Sequence, residues 1–356
     1  MKKLINSVET VLQEQLNGLV EAHPTLALHQ EPLFITRADA PVAGRVALMS
    51  GGGSGHEPMH CGYIGQGMLA GACPGEIFTS PTPDQMYECG QAIDGGQGVL
   101  MLIKNYTGDI LNFETAAELL HASGTAVATL VVDDDVAVKD SLFTTGRRGV
   151  ANTVLLEKLL GAAAARGDSL DDCAALGERI NNQGHSLGIA LGACTVPAAG
   201  KPSFALADNE MEFGIGIHGE PGIERRPFIS LNDTVDTLFA TLIENGGYQR
   251  TLRHWDRQAG DWRETRQSKQ PLAKGDRVIA LVNNLGSTPL SELYGVWHRL
   301  AERCAAFGLQ VERKLIGSYC TSLDMQGMSI TLLKVDDALL ELWDAPVNTP
   351  ALRWGC

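Results

Sequence analysis

Residues 45–50 form a short apolar run of strand character that passes without a break into Gly51, Gly52, Gly53, Ser54, Gly55 and His56. A strand that loses its side chains at its carboxyl end lets backbone N–H groups approach a small polar ligand, so a loop is predicted there. Two more apolar strands follow, 98–103 and 125–132; the first ends in KNYTGD (104–109), the second in Asp133, Asp134 and Asp135. A helical pattern at 112–121 lies between them. Strand, polar loop, helix, strand is the pattern of a parallel α/β sheet, whose ligand sites lie beyond the carboxyl ends of its strands. The three polar loops are therefore predicted to converge on one rim.

The rest of the chain sets the frame for that rim. A length of 356 residues with 44% apolar content predicts about two domains with proper cores and excludes disorder. The net charge of −14 argues against a nucleic-acid partner, which would need clustered Lys and Arg. Eight cysteines without a C-x-x-C pair predict reduced thiols and a cytoplasmic location, and no apolar run is long enough to span a membrane. Residues 1–16 read as an amphipathic helix rather than a signal peptide. Helices are predicted over 151–165 and 169–181, with a boundary at 182–184. In the second half we expect strands at 187–194, 278–282 and 329–333 and helices at 232–244 and 291–307. Phe213, Ile215 and Ile217 alternate as in a strand with one packed face. The predicted class is α/β: two α/β domains, 1–184 and 185–335, each a mixed or largely parallel sheet flanked by helices. The packing of a C-terminal segment, 336–356, is left open.

Several motifs fail when tested. His56-Glu57-Pro58-Met59-His60 matches the zinc pattern H-E-x-x-H, but Pro58 breaks the helix that would put both histidines on one face. No Walker loop is complete, and the glycine run at 51–56 completes neither G-x-G-x-x-G nor G-x-S-x-G, each of which would need glycine where His56 stands. His56 and Asp109, each at a strand end, could form a general acid/base pair, and Lys104 could bind a hydroxyl or anionic oxygen. The glycines on both sides of His218 would let a ligand reach its imidazole. Spacing alone leaves each of these residues open to a purely structural role.

Read together, GGGSGHEPMHCGYIGQGMLAGACPGEIFTSPTPDQ (51–85), IKNYTGDILNFE (103–114), DDDVAVKDS (133–141), GRRGVANT (146–153) and MEFGIGIHGEPG (211–222) resemble the dihydroxyacetone kinase K family over nearly the whole chain. The resemblance implies a substrate-binding subunit without the helical nucleotide-binding domain of the single-chain kinases. It implies that no cofactor or metal is held by this chain, and that Mg-ADP or Mg-ATP sits on a separate L subunit, recharged by an M subunit of the phosphoenolpyruvate-dependent phosphotransferase system. By the same resemblance His218 is the nucleophile that adds to the carbonyl of dihydroxyacetone as a hemiaminal. His56 is the proton acceptor at the substrate hydroxyl, Asp109 its acidic companion, and Gly53, Ser54, Gly55 and Lys104 are substrate contacts. A homodimer is also implied, as is contact with a transcription regulator for some members. The alternative is a ketose-sensing module that does no chemistry.

Overall fold

The computed structural model describes residues 2–139 and 146–356, so Asp140 and Ser141 of the motif at 133–141 lie outside the described residues. Helix α1 (Val11–Ala22) precedes a first sheet built from β1 (Leu26–Gln30), β2 (Leu33–Arg37), β3 (Ala47–Ser54), β4 (Gly71–Ile77), β5 (Val99–Lys104) and β6 (Val127–Val132), with α2 (Pro83–Ile93) and α3 (Thr107–Ala122) between strands. Helices α4 (Asn152–Arg166) and α5 (Leu170–Gln183) lead to β7 (Gly184–Gly192), β8 (Glu210–Phe213) and β9 (Glu224–Pro227). Then come α6 (Leu231–Glu244), the hairpin β10 (Tyr248–Asp256) and β11 (Asp261–Lys269), β12 (Arg277–Asn284), α7 (Leu290–Phe307), β13 (Gln310–Gly317) and β14 (Gln326–Val335). The chain closes with α8 (Asp337–Asp344), β15 (Val347–Asn348) and β16 (Arg353–Trp354).

The first sheet has the order β1-β2-β4-β3-β5-β6 and is parallel from β4 through β6. Both faces of β5 and of the edge strand β6 are buried, as their largely apolar sequences require of parallel strands covered on both sides. The second sheet, β13-β12-β14-β7-β8-β9, has one parallel pair, β12 with β13, and is otherwise antiparallel. The class is thus the expected mixed α/β. Helix ends follow local rules: Thr82 and Gln85 form a capping box with Pro83 as the first residue of α2, and α4 stops at Gly167, φ +100°.

Four local expectations need correction. Gly51–Ser54 are not a loop; they continue β3 in register with β4, because glycine adopts extended backbone where a neighbour leaves no room for a side chain. A Cβ on Gly51 would lie 2.6 Å from the Cys73 carbonyl oxygen, and one on Gly53 2.5 Å from the Thr79 nitrogen. The N-terminal helix begins only at Val11. Strand β8 ends at Phe213; Ile215 and Ile217 are buried as expected but lie in a turn, since Gly214 at φ +80° takes the chain out of the ladder. Finally, the polar stretch after α6 is the β10–β11 hairpin, which belongs by sequence to the second half yet packs on the first. Trp255 joins the Phe113 and Leu120 cluster, its amide donates to Thr129 Oγ1 at 3.0 Å, and Arg250 pairs with Asp133 at 2.7 Å.

The C-terminal segment also returns to the first half. Trp343 is fully buried, α8 packs on α4, and Gln66 and Asn348 exchange backbone hydrogen bonds of 3.1 and 3.0 Å. No helix among the described residues is long and apolar enough to cross a membrane.

Candidate active site

Lys104 closes β5, Asp109 sits in the first turn of α3, and His56 follows directly on β3, so adjacent parallel strands place all three on one rim. Lys104 Nζ lies under the glycine strand. It donates to the Gly51 carbonyl at 3.1 Å, lies 3.0 Å from His60 Nε2, and faces Asp109 Oδ2 at 3.7 Å. A Cβ on Gly52 would come within 2.3 Å of that ammonium, which is why this position carries no side chain.

His218 arrives from the second half on the loop after β8. Gly214 and Gly219, φ +80° and +75°, give this loop its left-handed corners, and a Cβ on Gly216 would strike the Glu220 carboxylate at 2.1 Å. The loop is tied down by charge. Arg148 Nη2 bonds the Gly214 carbonyl at 2.7 Å and Asp135 at 2.6 Å, while its Nη1 lies 3.7 Å from Glu220 Oε1. Glu220 Oε2 accepts from the His218 amide at 2.8 Å, and Glu220 Oε1 is 3.8 Å from His218 Nδ1. Burial would raise the Glu220 carboxyl, but the hydrogen bond and charge of His218 and the charge of Arg148 outweigh it and hold the group down at about 2.

The two halves meet ring to ring. His56 Nε2 and His218 Nε2 are 3.0 Å apart, and His56 Nδ1 is 2.8 Å from the Thr321 carbonyl oxygen. A carbonyl only accepts, so His56 carries its proton on Nδ1 and presents a lone pair at Nε2; the proton between the rings belongs to His218 Nε2. Burial, together with the charges of His218 and Lys104, pushes the His56 ring well below the ordinary imidazole range, so it is neutral. Phe78 stacks on His56 at 5.1 Å, and Tyr106 meets His218 edge-on at 4.5 Å. Beside this contact opens a cavity of about 620 Å³ lined by Gly53, Phe78, Ser80, Tyr106, Asp109, His218 and Glu220, among others. Neutral base, accessible imidazole, carboxylate and side-chain-free strand make a site able to add a nucleophile to a carbonyl and take up a hydroxyl proton.

Of the residues singled out from sequence, Gly53, Asp109 and His218 line the cavity, and His56 and Lys104 lie directly behind it. Ser54 and Gly55 are otherwise engaged: Ser54 Oγ donates to the Gly75 carbonyl at 2.7 Å, and the Gly55 amide donates to Glu57 at 3.0 Å. The zinc pattern is dispersed, with His56 on His218 and His60 on Lys104 and Glu157. Among the described residues no group of three or more His, Cys, Asp or Glu could hold a metal ion. Sequence reasoning missed Phe78, Tyr106, Arg148, Glu220 and Thr321. Arg148, Glu220 and Tyr106 fall inside the motifs already noted; Thr321, 265 residues from His56, left no local signal.

The Dak1 domain family matches residues 17–351. The chain is 76% identical, over all of both chains, to the PEP-dependent dihydroxyacetone kinase, dihydroxyacetone-binding subunit DhaK, of Escherichia coli K12. It is 45% identical to the PTS-dependent counterpart of Listeria innocua, over 99% of this chain and 100% of that one. Among solved structures, the dihydroxyacetone kinase of C. freundii in complex with AMP-PNP and Mg2+ superposes with a TM-score of 0.85 at 29% identity, over 99% of this chain and 61% of that one. The dihydroxyacetone kinase operon co-activator Dha-DhaQ superposes at 0.83 with 33% identity, over 96% of this chain and 98% of that one. The rim built on β3, β5 and the β8 loop is thus the site of a chain that belongs to the Dak1 domain family.

Proposed function

We propose that this chain is the dihydroxyacetone-binding subunit of a phosphoenolpyruvate-dependent dihydroxyacetone kinase, a phosphotransferase. The observation that carries the reading is the 3.0 Å contact between His56 Nε2 and His218 Nε2 at the edge of a cavity that also holds Asp109. As His218 Nε2 bonds the ketone carbon, the carbonyl π bond opens onto oxygen. His56 Nε2 takes the proton leaving His218 and returns it to that oxygen, so a neutral hemiaminal forms with no net change of charge. The tether then holds the terminal hydroxyl for in-line attack, with Asp109 and His56 placed to accept its proton and Lys104 held by Asp109 and Gly51 to offset charge. Ser54 and Gly55 act through backbone and strand geometry.

The phosphoryl group comes from a nucleotide with magnesium on a separate L subunit, recharged by an M subunit; the subunit itself works as a cytoplasmic homodimer. Glycerol, which has the hydroxyls but no carbonyl, is rejected. Reconstitution with L and M subunits and the general phosphotransferase proteins, with phosphoenolpyruvate or ATP as donor, tests this: phosphorylated dihydroxyacetone is expected with the former. The structural likeness to the co-activator DhaQ favours one second reading, a ketose sensor. An adduct on His218 by intact mass with no phosphorylated product in the complete system would select the sensor.

A further inference from the structure

His60 and Glu157 form the one part of this rim that the reading above leaves unused. His60 Nδ1 lies 2.6 Å from Glu157 Oε1 of α4, and its Nε2 lies 3.0 Å from Lys104 Nζ. His60, Glu157, Lys104 and Asp109 are all buried, the Glu157 side chain completely so. Burial pushes the Glu157 carboxyl well above the ordinary range and the charge of Lys104 pulls it back, so an ionised Glu157 depends on that lysine; a plain packing role calls for neither the carboxyl nor the imidazole.

The order of the hydrogen bonds constrains the protons. A neutral imidazole has one N–H. If that proton is on Nδ1, it is donated to the Glu157 carboxylate, and Nε2 accepts from a Lys104 ammonium. If it is on Nε2, it points at Lys104, which must then be a neutral amine, and Glu157 must carry a proton and donate it to Nδ1. The two states contain the same number of protons, so the charge on Lys104 and the charge on Glu157, two bonds away through His60, rise and fall together. Lys104 also donates to the Gly51 carbonyl and faces the Asp109 carboxylate, both of which favour the ammonium.

We infer that His60 and Glu157 are positioning residues: through the Glu157–His60–Lys104 chain they hold Lys104 as an ammonium aimed at Asp109, and so fix the charge and orientation of the pair that faces the substrate hydroxyl. Two of the ammonium protons are bound by Gly51 and His60, which leaves the third for Asp109 or for a substrate oxygen. The other groups facing this chain are His56, Glu57, Cys61, Tyr63 and Cys320. The inference rests on the proposed role of Lys104 and Asp109.

Glu157→Gln tests it, because Gln keeps an acceptor for His60 Nδ1–H and removes only the charge. Without the Glu157 charge, the Lys104 ammonium loses the carboxylate that balances it through His60. The adduct on His218 should form normally, KM should stay within about twofold, kcat should fall about tenfold, and the kcat–pH profile should shift by about one pH unit. A kcat and pH profile superimposable on those of the native protein overturns the inference, as does loss of the adduct, which would place the effect on His218. Should this variant fold poorly, the ring 15N spectrum of His60 in the native protein decides: a proton on Nδ1 supports the assignment and a proton on Nε2 overturns it. Lys104→Met separates the two levels. Full turnover in that variant removes the reading of Lys104 itself, whereas an inactive Lys104→Met beside an unaffected Glu157→Gln removes only the positioning chain.

Discussion

The first sheet delivers its reactive groups directly from its strands: His56 just past β3, Lys104 closing β5, Asp109 in the first turn of α3. The second sheet is mostly antiparallel and offers no such row of carboxyl ends. It contributes His218 on a glycine-cornered loop and the Thr321 carbonyl from the segment before β14. The first half is held in place by backbone ladders so close that only glycine fits. The His218 loop is held by a side-chain network, Asp135–Arg148–Glu220. On the proposed reading, groups that accept a proton gain from a rigid position, while a nucleophile that reaches and releases a carbonyl carbon can sit on a loop secured by charge.

The contrast can be broken most directly at His218. His218→Ala should abolish the adduct with dihydroxyacetone in intact-mass spectra and lower turnover at least about 10³-fold, because the tether's effective concentration is lost; an adduct that persists would move the nucleophile out of the second half. Asp109→Asn should leave the adduct in place yet lower kcat by about 10²–10⁴-fold in steady-state assays. Equal loss of adduct and turnover would mean that Asp109 serves binding rather than proton transfer.

Glycine substitutions sharpen the distinction between ladder and loop. Gly53→Ala drives a methyl into the backbone at Phe78 and Thr79, and should lower stability by about 1–3 kcal/mol in urea denaturation. Gly214→Ala, at φ +80°, should cost about 1–2 kcal/mol and mainly slow adduct formation, since it strains the loop that carries His218. If the two variants lose stability and adduct rate in the same proportion, the halves are not held differently.

A last test concerns acid stability. In β7, His185 Nε2 donates to the Gln270 carbonyl at 2.8 Å, and burial together with the charge of Lys269 pushes the ring down to about 3. Between the ordinary imidazole range and that value the unfolded chain binds a proton that the folded ring refuses. The stability this group contributes is therefore complete above about pH 6.5 and declines on acidification toward pH 3, by about 1.4 kcal/mol per pH unit. His185→Gln keeps a donor for Gln270 and should remove one proton's worth of slope from urea midpoints measured across that window. An unchanged slope would assign the acid sensitivity to His56 and His60 in the first half, whose rings burial also holds well below the usual range.

Much of the fold was legible in residue order. The unbroken apolar runs of β5 and β6, the periodic helices α3 to α7 and the glycine-rich end of β3 all follow from local pattern. The β10–β11 hairpin was not, because its strands are polar along most of their length and Trp255, Trp262 and a few charged anchors attach it to the first half. The His60–Glu157 pair was equally silent, since Glu157 sits at an ordinary helix position and its partner lies 97 residues away.

By itself the sequence determined which residues have the chemistry: two histidines beside glycines, an aspartate and a lysine at strand ends, and no complete Walker loop, because these depend on residue type and short-range spacing. Only the tertiary structure decided which of them meet. The contact between His56 and His218 spans 162 residues, and the protons on the two rings are assigned by the Thr321 carbonyl and by the ring-to-ring contact itself, both of which only folding brings within hydrogen-bond distance. Hydrogen-bond direction and burial are properties of the assembled core, and no local pattern encodes them.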